Sequence, residues 1–411
     1  MRPFLTTNIA IIFAACYLVL SAQQPLPPLT PVRPILPPAH ALPPESATAR
    51  FTRFSFIVYG DTRCQCVATP NPPGAPLPVS PLPGSPEVEP QHAKVIEALT
   101  AKVKGLARTN APVKFVLQTG DAVYRGIDAE RWDVFRPLAE RITRGLDLPF
   151  FFVPGNHDVT VTVADRDPGI HAMGLHNTLS AISRLIPPEG SPRRLSGYGT
   201  FAVGYGNLFI IGFDSNVAAD RFQLAWVTHQ LEHLDRRRYP HVAVFLHHQP
   251  YTSGRYSGVV TEGTLPSGAT TSAGAAISPQ ATALRLFYMP LFRTHHVRLV
   301  LTGHDHLFDH WAERYIDKGA RQRMDMIVSG GGGAPTYIYT GEPNLDAYIA
   351  EGKDHQLSME HVARPGRTVD DNPHHFIVVR VDHDKLSLEI VGTGLQPYTP
   401  WNGKATIDLT P

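Results

Sequence analysis

The stretch Leu117-Gln118-Thr119-Gly120-Asp121-Ala122-Val123-Tyr124-Arg125-Gly126 decides the fold. A short apolar strand ends here in a loop bracketed by glycines, and the loop carries the carboxylate of Asp121. A carboxylate just past the end of such a strand lies at the rim of a sheet, where open α/β folds place their chemistry. The stretch therefore predicts an α/β fold with a functional site at the carboxyl ends of its strands.

Four other stretches follow an apolar run in the same way, and each carries oxygen or imidazole donors. They are Tyr59-Gly60-Asp61-Thr62-Arg63, Pro154-Gly155-Asn156-His157-Asp158, Leu246-His247-His248-Gln249-Pro250 and Thr302-Gly303-His304-Asp305-His306. Taken singly, a Gly-Asp is usually a turn, a Gly-Asn-His-Asp an Asx-type turn, and a His-X-His two exposed imidazoles. Together they predict a metal centre, because strand after strand ends in a side chain that can bind a cation.

Apolar periodicity predicts strands and helices that alternate between these motifs. Strands are predicted at 54–59 and 113–118, joined by a helix over 91–108 with one apolar stripe: Val95, Ile96, Leu99, Val103 and Leu106. A right-handed βαβ crossover of this kind places both strand ends on one edge of a sheet. Further helices are predicted at 129–146, 177–185, 222–234 and 281–292, and further strands at 149–153, 199–203, 208–213, 242–246, 297–301, 326–328, 377–381 and 386–391.

The composition is that of a globular protein with a sizeable core. The 411 residues carry a formal charge of +1, which argues against electrostatic binding to nucleic acid or to an anionic membrane. We predict one catalytic domain over 51–395 and a C-terminal tail over 396–411. Long surface loops rich in small residues and proline are predicted at 67–90 and 251–278.

The N-terminus resembles an export signal. Met1-Arg2 precede an apolar run over 9–20, and Leu20-Ser21-Ala22 resembles a cleavage site. We therefore predict a signal peptide over 1–22 and a secreted or periplasmic protein, with an uncleaved anchor through 9–20 as the alternative and a lipoprotein as a minor third option. The proline-rich residues 23–50 are predicted to form an extended linker. The sequence does not decide whether Cys64 and Cys66 are free thiols, a metal contact or a strained disulfide.

The number of donors indicates two metal ions. The candidates are Asp61, Asp121, Tyr124, Asn156, His248, His304 and His306. One ion cannot use seven protein donors and keep an open site, whereas two ions that share Asp121 can. Mixed oxygen and nitrogen donors suit Fe, Zn or Mn and argue against Ca. Two such ions form a clamp for displacement at phosphorus.

The order of the five motifs resembles the calcineurin-like metallophosphoesterases, and Tyr124 three residues after Asp121 resembles the small, mammalian-type purple acid phosphatases. The resemblance covers roughly residues 54–333. It implies a four-layer αββα sandwich of two mixed sheets flanked by helices, with the metal site at the carboxyl ends of the strands. Most other branches carry a histidine two residues after the first aspartate, where this chain has Arg63.

Carried onto this chain, the resemblance implies two sets of ligands and an acid. One set, for Fe(III), is Asp61, Asp121, Tyr124 and His306; the other, for Fe(II), Zn or Mn, is Asp121, Asn156, His248 and His304. The family's His-X-Pro pattern selects His248 over its neighbour His247. His157 is implied to protonate the leaving group, the alternative being an imidazole that orients its neighbours. Asp158 and Asp305 are expected to orient imidazoles.

The leading functional hypothesis is hydrolysis of small phosphate monoesters, as by an acid phosphatase. A diesterase or nucleotide hydrolase with the same site is the alternative. A binding module without turnover is disfavoured by the complete ligand set and by His157. Arg63 is expected either to clamp a phosphate oxygen or to pair with an acid. Arg255 is a further candidate contact, because it lies near Ser257, where small purple acid phosphatases usually carry a substrate-binding histidine. The sequence does not indicate the oligomeric state.

Overall fold

The computed structural model describes residues 31–63, 90–159, 168–259, 261–264, 270–273, 277–394 and 404–409. The predicted signal peptide, Cys64, Cys66 and nearly all of the predicted loop over 67–90 lie outside the described residues. Within the described ranges, no helix is both long enough and apolar enough to span a membrane.

Two large sheets form the framework. The strands are β1 Arg53–Tyr59, β2 Val113–Gln118, β3 Phe150–Phe152, β4 Arg194–Leu195, β5 Thr200–Tyr205, β6 Leu208–Gly212, β7 His241–Phe245, β8 Thr261–Thr264, β9 Thr270–Ala273, β10 Leu299–Thr302, β11 Phe308–Asp317, β12 Ala320–Ser329, β13 Ser358–Ala363, β14 His375–Asp382, β15 Lys385–Gly392 and β16 Thr406–Asp408. One sheet has the order β16-β15-β14-β1-β2-β3 and the other the order β13-β11-β12-β10-β7-β6-β5-β4, while β8 and β9 pair with each other.

Both sheets are mixed, and their parallel strands lie in the middle. In the first sheet, β1, β2 and β3 run parallel, and β1 pairs antiparallel with β14. In the second sheet, β6, β7, β10 and β12 run parallel, and β11 pairs antiparallel with β12. Because the carboxyl ends of parallel strands share an edge, each sheet presents one row of loops where ligands bind.

Helices cover the outer faces of the sheets. They are α1 Pro90–Leu106, α2 Ala129–Glu140, α3 Asn156–Val159, α4 Pro168–Ile182, α5 Arg221–Glu232, α6 Pro279–Ala283, α7 Met289–Thr294 and α8 Asp346–Glu351. The apolar stripe predicted for α1 is buried at all five positions. Aromatic rings fill the space between the sheets, where Phe151 of the first sheet lies 6.1 Å from Phe201 of the second. The predicted α/β sandwich is therefore confirmed.

The domain is larger at both ends than predicted. The second half of the predicted linker lies on the domain: Ile35 is 1% exposed, its amide donates to the carbonyl of Ala181 at 2.9 Å, and Arg33 pairs with Asp133 at 2.7 Å. At the other end, β16 lies in the predicted tail and pairs with β15. Neither segment shows apolar periodicity, so this packing could not be predicted from the sequence.

Several elements also differ from the prediction. The α-helix predicted over 129–146 ends at Glu140 and continues as a π-helical turn, Arg141–Gly145. The helix predicted over 281–292 is interrupted by a second π-helical turn, Leu284–Tyr288. The predicted loop over 251–278 contains the β8–β9 pair. Strands β11 and β13 were not predicted, since polar residues interrupt their apolar pattern.

Candidate metal centre

The five motifs meet at one edge of the sheets. Asp61 follows β1, Asp121 follows β2 and His304 follows β10, each after a strand that runs parallel to a neighbour. Asn156 begins α3 just beyond β3, and His247 lies just beyond β7. The structure therefore brings side chains from both sheets into a single site.

Three residues of this site have backbone conformations that side chains usually avoid. The φ angle is 58° at Asp61, 55° at Asp121 and 71° at His304, in the left-handed region where a Cβ is crowded. Such strain costs on the order of 1–3 kcal/mol per residue and persists mainly where function requires it. The strained backbone positions are therefore three of the residues that the sequence motifs indicate as metal ligands.

Asp158 fixes the loop that carries Asp121. Its carboxylate accepts hydrogen bonds from the backbone N–H groups of Asp121 at 2.8 Å, Ala122 at 3.0 Å, Val123 at 3.2 Å and Gly155 at 2.7 Å. The expectation that Asp158 orients an imidazole is therefore wrong: this carboxylate holds backbone amides, which would otherwise be costly to bury without partners.

The loop of Gly155 approaches Asp121 more closely than a side chain allows. A Cβ at Gly155 would lie 2.3 Å from the backbone nitrogen of Asp121 and 2.3 Å from its Oδ1. Asp121 is fully buried, so it cannot shift away from an added Cβ. Glycine is therefore required at this position for steric reasons.

Gly155→Ala is expected to displace Asp121 and to weaken metal binding about tenfold or more, in the range seen when the supports of a ligand are lost. Metal titration of the purified variant measures the effect. Gly145→Ala is the matched control, because a Cβ at Gly145 meets no atom within 4 Å. Equal metal affinities for the two variants would contradict the steric argument.

The first donor group consists of Asp61, Asp121 and His306. One ligand atom from each lies within 4.8 Å of the other two, and all three side chains are buried. His306 Nδ1 donates to the carbonyl of Pro335 at 2.7 Å, so its Nε2 carries the lone pair. That nitrogen lies 3.6 Å from Asp61 Oδ1.

The second donor group is centred on His247. Its Nε2 lies 3.0 Å from Asn156 Oδ1, 3.1 Å from His304 Nδ1 and 3.3 Å from Asp121 Oδ1. Its Nδ1 donates to the carbonyl of Thr119 at 2.9 Å, which leaves the lone pair on Nε2. Nitrogen and oxygen donors thus converge around one atom of His247.

His248, which the resemblance selects, lies beside this second group. Its Nδ1 and its backbone N–H both contact Ser215 Oγ at 2.9 Å, and its ring lies 4.4 Å from that of His304. The geometry of the described side chains favours His247 as the metal ligand, and the ligand role of His248 stays a prediction.

Charge in the site is unbalanced without a cation. Burial and the neighbouring Asp121 raise the pKa of Asp61 well above its ordinary value. Burial also acts to raise the pKa of Asp121, but His247, His157 and Arg63 outweigh it and hold this pKa well below its ordinary value. Burial lowers the pKa of every imidazole in the two groups: His247, His304 and His306. The imidazoles are therefore neutral at neutral pH and keep the lone pairs that a metal requires.

The donors fit a metal ion. Asp61 Oδ1 is buried and accepts no hydrogen bond from any residue that the structure describes. An unpaired carboxylate oxygen of this kind is costly, and a cation bound among the neighbouring donors offsets that cost. The lone pairs of His247 Nε2 and His306 Nε2 also point into the site.

A model of the calcineurin-like phosphoesterase family matches residues 55–308. The chain belongs to this family. Members of this family are hydrolases of phosphate esters and typically bind a binuclear metal centre.

The fold of this chain is similar to that of the purple acid phosphatase PPD1 from yellow lupin (Lupinus luteus) seeds. The TM-score is 0.53 and the identity 15%, over 88% of this chain and 54% of the lupin chain, so this chain spans about half the length of that protein. GAP50, the anchor in the inner membrane complex of Plasmodium, gives a TM-score of 0.45 at 13% identity over 88% of this chain and 89% of that one. PhoD gives 0.45 at 12% over 88% and 69%. No curated protein matches the sequence.

Arg63 lies inside the first donor group of the phosphoesterase. Its Nε donates to Asp121 Oδ2 at 2.8 Å, and a terminal guanidinium nitrogen lies 3.3 Å from His306 Nε2. Of the two roles expected for Arg63, the structure shows the pairing with an acid. Tyr124 is half-buried, with its ring 5.8 Å from the Arg63 guanidinium carbon and 5.3 Å from the His157 ring. No hydrogen bond joins the Tyr124 hydroxyl to Asp121 or His306.

Two tyrosines stack on imidazoles of the metal site. The ring of Tyr256 stacks on His304 at 4.2 Å, and the ring of Tyr337 stacks on His306 at 4.1 Å. Arg255 is exposed, with its guanidinium carbon 5.2 Å from the centre of the Tyr337 ring. Tyr337 is not among the site residues predicted from the sequence. The only feature of the sequence that indicates it is the nearby run of glycines, 330–333.

Asp305 joins the metal site to the loop that carries Tyr256. Its Oδ2 accepts hydrogen bonds from Thr252 Oγ1 at 2.7 Å and from the backbone N–H of Tyr256 at 3.3 Å. Burial raises the pKa of Asp305 to about 7. The expectation that it orients an imidazole is wrong in the same way as for Asp158, because its partners belong to a loop.

Proposed function

We propose that this phosphoesterase hydrolyses phosphate monoesters in the manner of an acid phosphatase. The observation that carries the proposal is the arrangement around Asp121, whose Oδ2 accepts from Arg63 Nε at 2.8 Å and whose Oδ1 accepts from the His157 backbone N–H at 2.9 Å. A fixed cation and a partly exposed imidazole thus flank the metal donors. A monoester dianion carries more charge than a diester, so this environment favours the monoester.

The buried donors Asp121, Asn156, His247 and His304 would hold a divalent ion, which would supply Lewis-acid polarisation of the phosphoryl group and a lowered pKa for a water molecule. Fe(II), Zn or Mn suits the mixed nitrogen and oxygen donors. Arg63 has further N–H groups beyond the two that contact Asp121 and His306, and these bind phosphate oxygens. The chain thus supplies positive charge where the phosphoryl group is to be held.

His157 supplies the proton for the leaving group. Its Nδ1 donates to the carbonyl of Tyr124 at 2.8 Å, so Nε2 is the nitrogen that holds the catalytic proton. The water oxygen bonds to phosphorus while the bond from phosphorus to the ester oxygen breaks. The ester oxygen takes the proton from His157 Nε2, and the water releases its own proton to solvent.

Metal-replete protein, assayed on an alkyl monoester, an aryl monoester and a bis-aryl diester, tests the proposal. We expect monoester turnover to exceed diester turnover about tenfold or more and to disappear on chelation. Faster turnover of the diester would support the alternative function. No turnover of any ester at full metal occupancy would support a binding module.

His157→Ala is expected to lower the rate on an alkyl ester by a factor of about 10²–10⁴, and the rate on a nitrophenyl ester much less. An alkoxide is a poor leaving group without a proton, whereas nitrophenolate leaves unaided. Burial and Arg63 lower the pKa of His157 to about 4. The imidazolium is therefore lost as the pH rises through that value, so the loss in the variant is largest at acidic pH.

Rates on both esters across pH, with metal content, measure this effect. His233→Ala is the matched control, because it removes an exposed imidazole that lies on a helix end away from the donors. If the variant loses the same factor on both esters at full metal occupancy, His157 positions the phosphate and the proton has another source.

Arg255 stays a proposed substrate contact. It is exposed, and its guanidinium lies 5.2 Å from the ring of Tyr337, which stacks on His306. A guanidinium there is suited to a charged group on the alcohol part of the ester, since the phosphoryl group is bound deeper, at Arg63.

We also propose that the protein is exported, with the signal peptide over 1–22 removed, the alternative being an anchor through 9–20. The apolar run after a positively charged start supports this. Mass spectrometry of the N-terminus of protein recovered from the host cell's exterior or periplasm tests it. An intact Met1 in the membrane fraction would favour the anchor.

A further inference from the structure

The first donor group contains a cation that belongs to the chain. The Arg63 guanidinium contacts Asp121 Oδ2 at 2.8 Å and His306 Nε2 at 3.3 Å. Its side chain is 11% exposed, so this is a contact within the site and not a flexible surface pair. These two acceptor atoms are the ones that a first metal ion would need.

Few lone pairs remain for a first ion. His306 has its only lone pair on Nε2, because Nδ1 donates to the carbonyl of Pro335. Asp121 Oδ1 already accepts from the His157 amide at 2.9 Å and faces the second donor group. Asp61 Oδ1 is then the one oxygen of the group that no described residue contacts by hydrogen bond.

The charge count also favours one ion. A guanidinium stays protonated throughout the pH range of proteins. Two divalent ions beside this guanidinium would have only two carboxylate ligands, those of Asp61 and Asp121. The positive charge of one divalent ion and one guanidinium is closer to the negative charge of these two carboxylates.

The backbone holds Arg63 in this position. Its N–H donates to the carbonyl of Asp121 at 3.2 Å, next to the Thr62 N–H at 3.0 Å, and the ring of Tyr124 lies 5.8 Å from the guanidinium carbon. Tyr124 therefore packs near the Arg63 guanidinium.

We propose that Arg63 occupies the position of the first ion, so that the phosphoesterase binds a single metal ion, in the second donor group around His247. The inference rests on the proposed metal centre, and it departs from the two ions that the resemblance implies. It also means that Tyr124 is not an iron ligand and that the protein is not purple.

Metal binding by full-length protein, stripped by chelator and titrated with Zn(II), tests this without any substrate. Stoichiometry from equilibrium dialysis and elemental analysis is expected to be one ion per chain. Arg63→Ala and Arg63→His are expected to bind two, because both variants free Asp121 Oδ2 and His306 Nε2, and the histidine adds a donor. Arg53→Ala is the matched control: it removes an arginine that pairs with Asp382 at 2.7 Å at the other end of β1, and it should bind one.

Two ions per chain in the unaltered protein would overturn the proposal, as would one ion in both Arg63 variants when circular dichroism shows them folded. If neither variant folds, iron loading of the unaltered protein decides. A visible charge-transfer band that disappears in Tyr124→Phe would overturn the proposal, and its absence would support it. Because no substrate is used, failure of the proposed monoesterase activity leaves these outcomes unchanged.

Discussion

Asp121→Asn is expected to remove most of the bound metal and to lower monoester turnover about a thousandfold or more, since the charge stabilisation that a metal provides is worth several kcal/mol. Asp121 Oδ1 accepts from the His157 amide and Oδ2 accepts from Arg63. An asparagine amide must turn its NH₂ toward one of these donors, whichever way it is oriented. The substitution also leaves the Arg63 guanidinium without its anion.

Asp325→Asn is the matched control for this prediction. Asp325 is also buried and also pairs with an imidazole and a guanidinium, His310 at 2.8 Å and Arg323 at 2.7 Å. It aligns with Leu299 at the start of β10, whereas the site lies beyond the end of that strand. This variant should be less stable but keep its metal. Elemental analysis and kcat/KM separate the two cases, and an Asp121→Asn protein with full metal and most of its rate would refute the central role of Asp121.

The framework of the site could be predicted because each of its strands contains a short apolar run. In β1, β2 and β7 the runs are 56–59, 115–117 and 242–245, and all of these residues are buried. The glycine and donor residues that follow them mark the edge where ligands bind. Because β1 and β2 follow one another with a helix between them, the two strands are expected to be parallel neighbours, and Asp61 and Asp121 at their ends are expected to lie close together.

Strand β11 could not be predicted because its buried residues are partly charged. Asp309, His310 and Glu313 are all 0% exposed. Each is neutralised by a partner distant in sequence: His361 at 2.7 Å, Asp325 at 2.8 Å and Arg293 at 2.7 Å. A hydropathy pattern cannot show such pairs, because the partners become neighbours only in the fold.

The details of the site depend on side-chain direction, which the sequence does not contain. The sequence predicts two alternative roles for Arg63, because the group that its side chain reaches depends on the path of the loop. Asp158 and Asp305 were expected beside imidazoles, yet both hold loops through backbone amides. These loops must keep φ positive at Asp61, Asp121 and His304, and carboxylates that bind amides help to hold that strain.

The choice between His247 and His248 is the sharpest case, and paired alanine variants decide it. Both imidazoles are buried, at 0% and 3% exposed, and they follow the same strand, so each substitution removes the same group at nearly the same depth. His247→Ala removes the nitrogen that lies 3.0–3.3 Å from Asn156, His304 and Asp121. His248→Ala removes a ring whose hydrogen-bonding partner is Ser215.

We expect His247→Ala to lose its metal and about a thousandfold or more in monoester turnover, since loss of the ion forfeits several kcal/mol of charge stabilisation. His248→Ala should keep its metal and lose at most about a hundredfold, the range for a residue that supports a ligand from outside. Ser215→Ala tests whether His248 binds the metal or only packs beside His304. This variant removes the hydrogen-bonding partner of the His248 ring but keeps the ring itself. If the ring only packs beside His304, Ser215→Ala should resemble His248→Ala in metal content and turnover. Metal titrations and kcat/KM for the three variants, with thermal unfolding to confirm a folded chain, give the answer. If His248→Ala loses its metal and His247→Ala keeps it, the metal ligand is His248, the histidine of the His-X-Pro pattern. The short distances around His247 would then reflect hydrogen bonding alone.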